Sequence, residues 1–181
     1  MTKFFMQHVG EALSKRDFPK SIGSRNTGLV EFSLDDLQSH ANEPLQLSGN
    51  SLNRIKEVNS FQVWGLPEGA KSFTDQMFAG DYIMLLGSES SCEYIGRIEA
   101  RIPRLCQDIS FSIWGEQKFP WIICLTESAF IDLEWSGFLK KVGYATNYAL
   151  RGNTSRVSDT KLAQANISAD KLAGWVREFR V

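Results

Sequence analysis

Short runs in which large apolar and polar side chains alternate recur through the middle of the chain, each closed by glycine or proline. Residues 60–64, Ser-Phe-Gln-Val-Trp, alternate as a half-buried strand does and stop at Gly65-Leu66-Pro67-Glu68-Gly69. Residues 82–86 are unbroken apolar, which predicts a central strand, and Gly80-Asp81 punctuates the chain just before it. After a polar turn at 87–91, residues 93–100 alternate again and predict the partner strand of a hairpin. Residues 111–114 read as another short alternating strand, 119–125 as a buried strand and 130–133 as one more.

The two ends carry different patterns. Residues 1–30 show no clean period, and 15–23 read as a loop broken by Pro19 and Gly23. Ser33 caps a helix whose first turn holds Asp35 and Asp36, where carboxylates favour the helix dipole. Residues 41–53 are a polar connection, and 70–79 a short helix. In the tail, 151–156 reads as a polar loop, and Ser158 and Ser168 each cap a helix. The last of these places Leu172, Trp175, Val176 and Phe179 on one face. The pattern predicts an α+β domain over residues 1–181, with a small curved or barrel-like mixed sheet flanked by helices. Residues 1–55 form an N-terminal extension and helix, 56–135 the sheet core, and 136–181 a helical tail.

Composition excludes several classes. The chain has 181 residues, 43% of them hydrophobic and 23% charged, enough for a sizeable core. No stretch approaches the roughly 18 apolar residues of a membrane helix, and the first residues show no secretion-signal pattern. Cys92, Cys106 and Cys124 are scattered, which fits a reducing cytoplasm better than a disulfide framework. With His8 and His40 remote from one another, they make a poor zinc set. Phosphate-loop, nucleophile-elbow and paired-histidine patterns are absent, so neither catalysis nor a cofactor is expected. His8, alone near the start, reads as a surface residue rather than a general base.

Charge changes the picture. The formal net charge is −1, which taken alone speaks against a nucleic-acid partner. Residues 1–135 hold 12 Lys/Arg against 18 Asp/Glu, a charge of −6, whereas 136–181 hold eight against three, a charge of +5. A basic segment interleaved with Tyr144, Asn147, Tyr148 and Asn153 suits a phosphate backbone, where cations displace condensed counterions. The plain alternative is that these charges solvate ordinary helix faces.

The order of motifs from 61 to 127 resembles the EVE/YTH-like branch of the PUA superfamily. Phe61-Gln62-Val63-Trp64-Gly65-Leu66-Pro67 is followed by Phe78-Ala79-Gly80-Asp81-Tyr82-Ile83-Met84-Leu85, then Tyr94-Ile95-Gly96-Arg97-Ile98 and Phe119-Pro120-Trp121-Ile122-Ile123-Cys124-Leu125. Residues 16–20 and the tail resemble those of modules at the front of modification-dependent restriction proteins of the McrBC type. The resemblance implies a non-enzymatic reader that flips a modified, methylated DNA base into an aromatic pocket. A nuclease or NTPase segment or partner subunit would lie elsewhere. The alternative is a PUA-like RNA-binding module; an enzyme or small-ligand domain using the same pocket is a further rival.

The same resemblance assigns the site. Trp64 and Trp114 become the cage walls, with Trp121 a structural tryptophan inside its strand. Asn50, Asn53 and the backbone N–H of Gly65 become base-edge contacts. The charge pattern, not the resemblance, makes Arg151 and Arg156, which flank 152–155, the leading phosphate contacts, joined by Lys140, Lys141 and Lys161. Without the resemblance, Trp64 and Trp114 read as core and the two asparagines as turn residues. Gly65-Leu66-Pro67 departs from the Ser-Thr that follows the tryptophan in YTH readers, which leaves the identity of the modified base open.

Overall fold

Strand Phe4–His8 (β1) alternates two kinds of burial: Phe4 and Met6 enter one apolar cluster, Phe5 the other. Both faces are covered, so the strand reads as an apolar run rather than as an alternating one. The computed structural model describes residues 1–88, 90–150 and 152–181. After β1 come helix Glu11–Ser21 (α1), the hairpin Gly23–Ser24 (β2) and Gly28–Leu29 (β3), and helices Leu34–Ser39 (α2) and Gly49–Glu57 (α3). Strand Gln62–Leu66 (β4) leads through a single 3-10 turn into helix Lys71–Thr74 (α4). Strands Tyr82–Leu86 (β5) and Ser91–Arg101 (β6), helix Gln107–Trp114 (α5) and strand Trp121–Glu134 (β7) follow. Helix Trp135–Val142 (α6), strand Thr154–Arg156 (β8) and helices Asp159–Gln164 (α7) and Ala169–Arg177 (α8) complete the order.

Six strands form one mixed sheet in the order β4-β7-β6-β5-β1-β8, curled into a half barrel. β1 runs parallel to β5, with Phe4 beside Tyr82, and antiparallel to β8, with Gln7 beside Thr154. All other pairings in the sheet are antiparallel. The concave side packs Phe5, Trp64, Ile83, Leu85, Tyr94 and Ile98 against α1, α3 and α5. The convex side packs Met6, Met84, Ile95, Ile131 and Leu133 under α6, α7 and α8. Full burial of each such side chain stabilises by about 1.5–3 kcal/mol relative to exposure. The end of the chain is stitched to the sheet, where Asp132 N–H donates to the Phe179 carbonyl at 2.9 Å.

Several sequence expectations hold. The strand at 60–64, the 82–86/93–100 hairpin and the helix caps at Ser33, Ser158 and Ser168 are all present. Others are corrected. Residues 15–21 belong to α1: Pro19 gives up one hydrogen bond, to the Lys15 carbonyl, but the helix runs on past it and the Ile22 N–H closes the end on the Phe18 carbonyl at 2.9 Å. Residues 111–114 are the last turn of α5, not a strand: Phe111 faces solvent while Ile109 and Trp114 are buried. The two strands expected at 119–125 and 130–133 are one, bent at Glu127, whose φ is 47°. The connection at 41–53 ends in α3, capped by Ser48, and the loop at 151–156 ends in β8. With β1, β8 brings strands into the sheet from outside residues 56–135.

Candidate functional site

Strand β4 lies beside β7 with Trp64 opposite Ile123, and the indole points into the barrel. Phe18 of α1 meets it edge-on at 5.3 Å between ring centroids, and Trp114 of α5 does so at 5.8 Å. Phe119 lies tilted at 6.1 Å. Gly65 makes this packing possible: a Cβ there would stand 2.4 Å from the Phe119 carbonyl oxygen and 3.0 Å from Cη2 of Trp114. Trp64, Gly65 and Trp114 are therefore brought together. The two indoles are only 1% and 2% exposed, so in this state they are closed core rather than open walls. Phe18 and Phe119 supply the cover.

The polar atoms around the cluster are incompletely paired. Trp64 Nε1–H donates to Oε1 of Gln7 at 2.7 Å, both buried. Gln7 sits beside Thr154, and the His8 N–H donates to the Asn153 carbonyl at 2.8 Å. Trp114 Nε1, His8 Nε2 and Thr154 Oγ1 are buried without a hydrogen-bond partner. Each such group costs about 1–3 kcal/mol unless something satisfies it.

Above Gln7 and Thr154 the two edges of the sheet face each other across a cleft of about 440 Å³. Its walls are Pro67, Gly69, Ala70 and Phe73, which follow β4, and Gly152, Asn153 and Thr154 at the start of β8. Gly152 has a φ of 72°, a conformation that favours glycine. The volume is that of a small-ligand pocket. A larger cavity of about 560 Å³ lies between α1, the β2–β3 hairpin and the β5–β6 turn, with Glu11, Glu93, Lys15 and Arg25 in its lining. The smaller cleft is the stronger candidate, because Thr154, whose buried hydroxyl is unpaired, is among its lining residues and Gln7 links that lining to Trp64.

The remaining predicted residues are dispersed. Asn50 and Asn53 are exposed on α3, which packs along β6 through Ile55, and they make no hydrogen bond to the tryptophans. Arg156 ends β8, 3.5 Å from the Asp159 carboxylate. Lys161 donates to the Gly143 carbonyl at 2.7 Å and stands 5.4 Å over the Tyr144 ring. Lys141 lies 5.1 Å over Trp175, and Lys140 is exposed on α6. Arg151 lies outside the described residues. Gln7, Phe18, Phe73 and Thr154 were not singled out from the sequence. The signal for Gln7 is faint: it stands between the apolar run Phe4-Phe5-Met6 and His8, and a polar side chain so placed on a buried strand needs a partner.

Cys92, Cys106 and Cys124 are buried and free, and burial pushes the Cys106 and Cys124 thiols up to about 12. Among the described residues there is no group of three His, Cys, Asp or Glu side chains placed to hold a metal ion. No helix among them is long and apolar enough to cross a membrane.

No protein-family model matches the chain, and no curated protein matches it. Among solved structures it is similar to the N-terminal domain of McrB from Thermococcus gammatolerans, determined bound to m5C DNA. The identity is 12% and the TM-score 0.60, over 90% of this chain and 94% of that one. The likeness is one of fold.

Proposed function

We propose that this chain is a DNA-binding module that reads a modified base, taking it flipped from the duplex into the cleft between β4 and β8. The observation that carries the reading is the continuous path from that cleft through Thr154 and Gln7 to the Trp64–Trp114 pair. The fold it shares with a domain solved on m5C DNA supports the choice of ligand class. A base within a duplex hides its faces, so a reader must extrude it at a cost of a few kcal/mol. Stacking on an aromatic ring returns about 1–3 kcal/mol. Unpaired Thr154 Oγ1 and Trp114 Nε1 are the groups that would meet a base edge.

Trp64 and Trp114 become walls once the seam parts. β4 and β8 are both sheet edges and share no backbone ladder, so opening between them costs side-chain packing and no strand pairing. Arg151 and Arg156, with Lys140, Lys141 and Lys161, are the proposed backbone contacts on the tail. Asn50 and Asn53 stay candidate base-edge contacts only if α3 moves toward the seam. The module acts without catalysis of its own, within a modification-dependent restriction system whose nuclease or NTPase lies on another segment or subunit, in the cytoplasm.

Binding of matched duplexes tests this. Oligonucleotides carrying N6-methyladenine, 5-methylcytosine or 5-hydroxymethylcytosine are compared with the unmodified sequence by fluorescence anisotropy. One buried methyl is worth about 0.8 kcal/mol, roughly fourfold in affinity. If no modification raises affinity, the reading is wrong.

A further inference from the structure

The Gly80-Asp81 pair does more than announce β5. Asp81 is buried, and its two carboxylate oxygens accept the backbone N–H groups of Lys3 at 2.8 Å and Phe78 at 2.9 Å. Gly80, with a φ of 96°, donates its own N–H to the Ile98 carbonyl at 2.9 Å. The backbone under Phe78 is therefore pinned, yet its ring is 59% exposed. Two cations stand over that ring: Lys3 Nζ at 4.9 Å and the Arg101 guanidinium at 5.9 Å. Arg101 is fixed in place by a 2.7 Å hydrogen bond to the Thr74 carbonyl. A third cation, Lys71, lies 5.9 Å over the Trp121 ring. Asp75 is the carboxylate paired with Lys71 and Arg101, while Lys3 Nζ meets the neutral Gln76 carbonyl at 2.8 Å.

The patch adjoins the candidate site. Lys71 and Phe73 are on the same short helix, and Phe73 lines the cleft. Asp75 pairs with both Lys71 and Arg101, and Arg101 in turn reaches the Phe78 ring that Lys3 also faces, so the patch is one connected set of contacts. An exposed aromatic ring on a pinned backbone, with an excess of cations about it, complements a strand of alternating bases and phosphates.

We infer that Phe78, Lys3, Arg101 and Lys71 form a second DNA contact, holding the strand that bears the target base beside the cleft. The cations take phosphates and the Phe78 ring packs against a base left unstacked when its neighbour flips. This rests on the proposed function but concerns affinity, not recognition of the modification. It also places backbone contacts on the acidic portion of the chain, in addition to those proposed on the basic tail.

The test uses Phe78→Ala and the double variant Lys3→Gln/Lys71→Gln, with Lys118→Gln as a control outside the patch. Thermal unfolding confirms that each folds. Affinity for modified and unmodified duplexes is measured from low to physiological salt. Phe78→Ala is expected to weaken both duplexes by at least about fivefold, leaving their ratio intact. The double variant is expected to flatten the slope of log affinity against log salt by about 0.9 for each phosphate it no longer neutralises. Unchanged affinity and slope, with discrimination retained, would overturn this second DNA contact and leave the proposed function standing. Weakened binding in a protein that never discriminates modification would sustain the second contact and sink the proposed function. A loss of affinity confined to the modified duplex would overturn it too, since it would move Phe78 into the pocket.

Discussion

The indole N–H of Trp64 is held by the side-chain oxygen of Gln7 at 2.7 Å, joining edge strand β4 to a strand four places away in the sheet. This latch crosses the barrel where no backbone ladder does. Gln7→Leu keeps the volume but orphans the indole N–H, and is expected to cost about 1–3 kcal/mol. A lowered urea midpoint with an unchanged slope would show it.

The two tryptophans respond differently to the loss of their N–H groups. Trp114 Nε1 has no partner, so Trp114→Phe forfeits no hydrogen bond and loses only packing. Trp64→Phe also strands Gln7 and is expected to be the less stable variant by about 1 kcal/mol or more. Side-by-side thermal melts decide it. Equal losses would mean that the Gln7 bond contributes nothing.

Gly65→Ala is expected to be among the most damaging small substitutions. Its methyl would lie 2.4 Å from the Phe119 carbonyl oxygen and 2.6 Å from Phe119 Cβ, with backbone on one side and the second indole on the other. Overpacking of this kind costs about 1–3 kcal/mol. Intrinsic tryptophan fluorescence should report the displaced cluster directly.

Asp108 gives the fold an acid-sensitive joint. Arg104 donates to both its oxygens at 3.0 Å, and the Asn42 N–H adds a bond at 2.8 Å. Together they pull the carboxyl from 3.8 down to about 2. A native pKa lowered in this way means that the unfolded chain takes up the proton first. The stabilisation is complete above about pH 4 and disappears as pH falls toward 2. Asp108→Asn should be less stable than the parent by roughly 1–2 kcal/mol at pH 6, allowing for partial exposure. The gap should close near pH 2 in denaturation curves run across that range. A gap independent of pH would refute the pairing as its cause.

Much of the sheet is legible in the sequence where large apolar and polar side chains alternate between turn residues, as at residues 60–64 and 93–100, although both faces of these strands are largely buried in the fold. The cap serines are equally plain, because the hydroxyl and the first-turn amides are neighbours in sequence. What escapes is set by distant partners. β1 carries no alternating signal, since helices cover its outer face and the barrel interior its inner one. α5 offers a four-residue alternating window, too short to separate a strand from the end of a helix. Within the candidate site, the meeting of Trp64, Gly65 and Trp114 follows from the motif order. Their closure does not, because it depends on Phe18, which stands in a stretch whose proline argues for a loop. The seam cleft is less visible still, for it is made by two strand edges whose nearness no local pattern encodes.

The parallel seat of β1 has a consequence for synthesis. The strand leaves the ribosome before either of its two neighbours, Tyr82–Leu86 and Thr154–Arg156. Until both arrive, Phe4-Phe5-Met6 is an unpaired apolar edge, the kind of segment that invites pairing with another nascent copy. The hairpin at 82–101 can form from local contacts, while closure of the barrel waits for the longest loops in the molecule. Soluble yield should therefore depend on how quickly the last third of the chain follows the first, and slow codons between 101 and 154 should lower it.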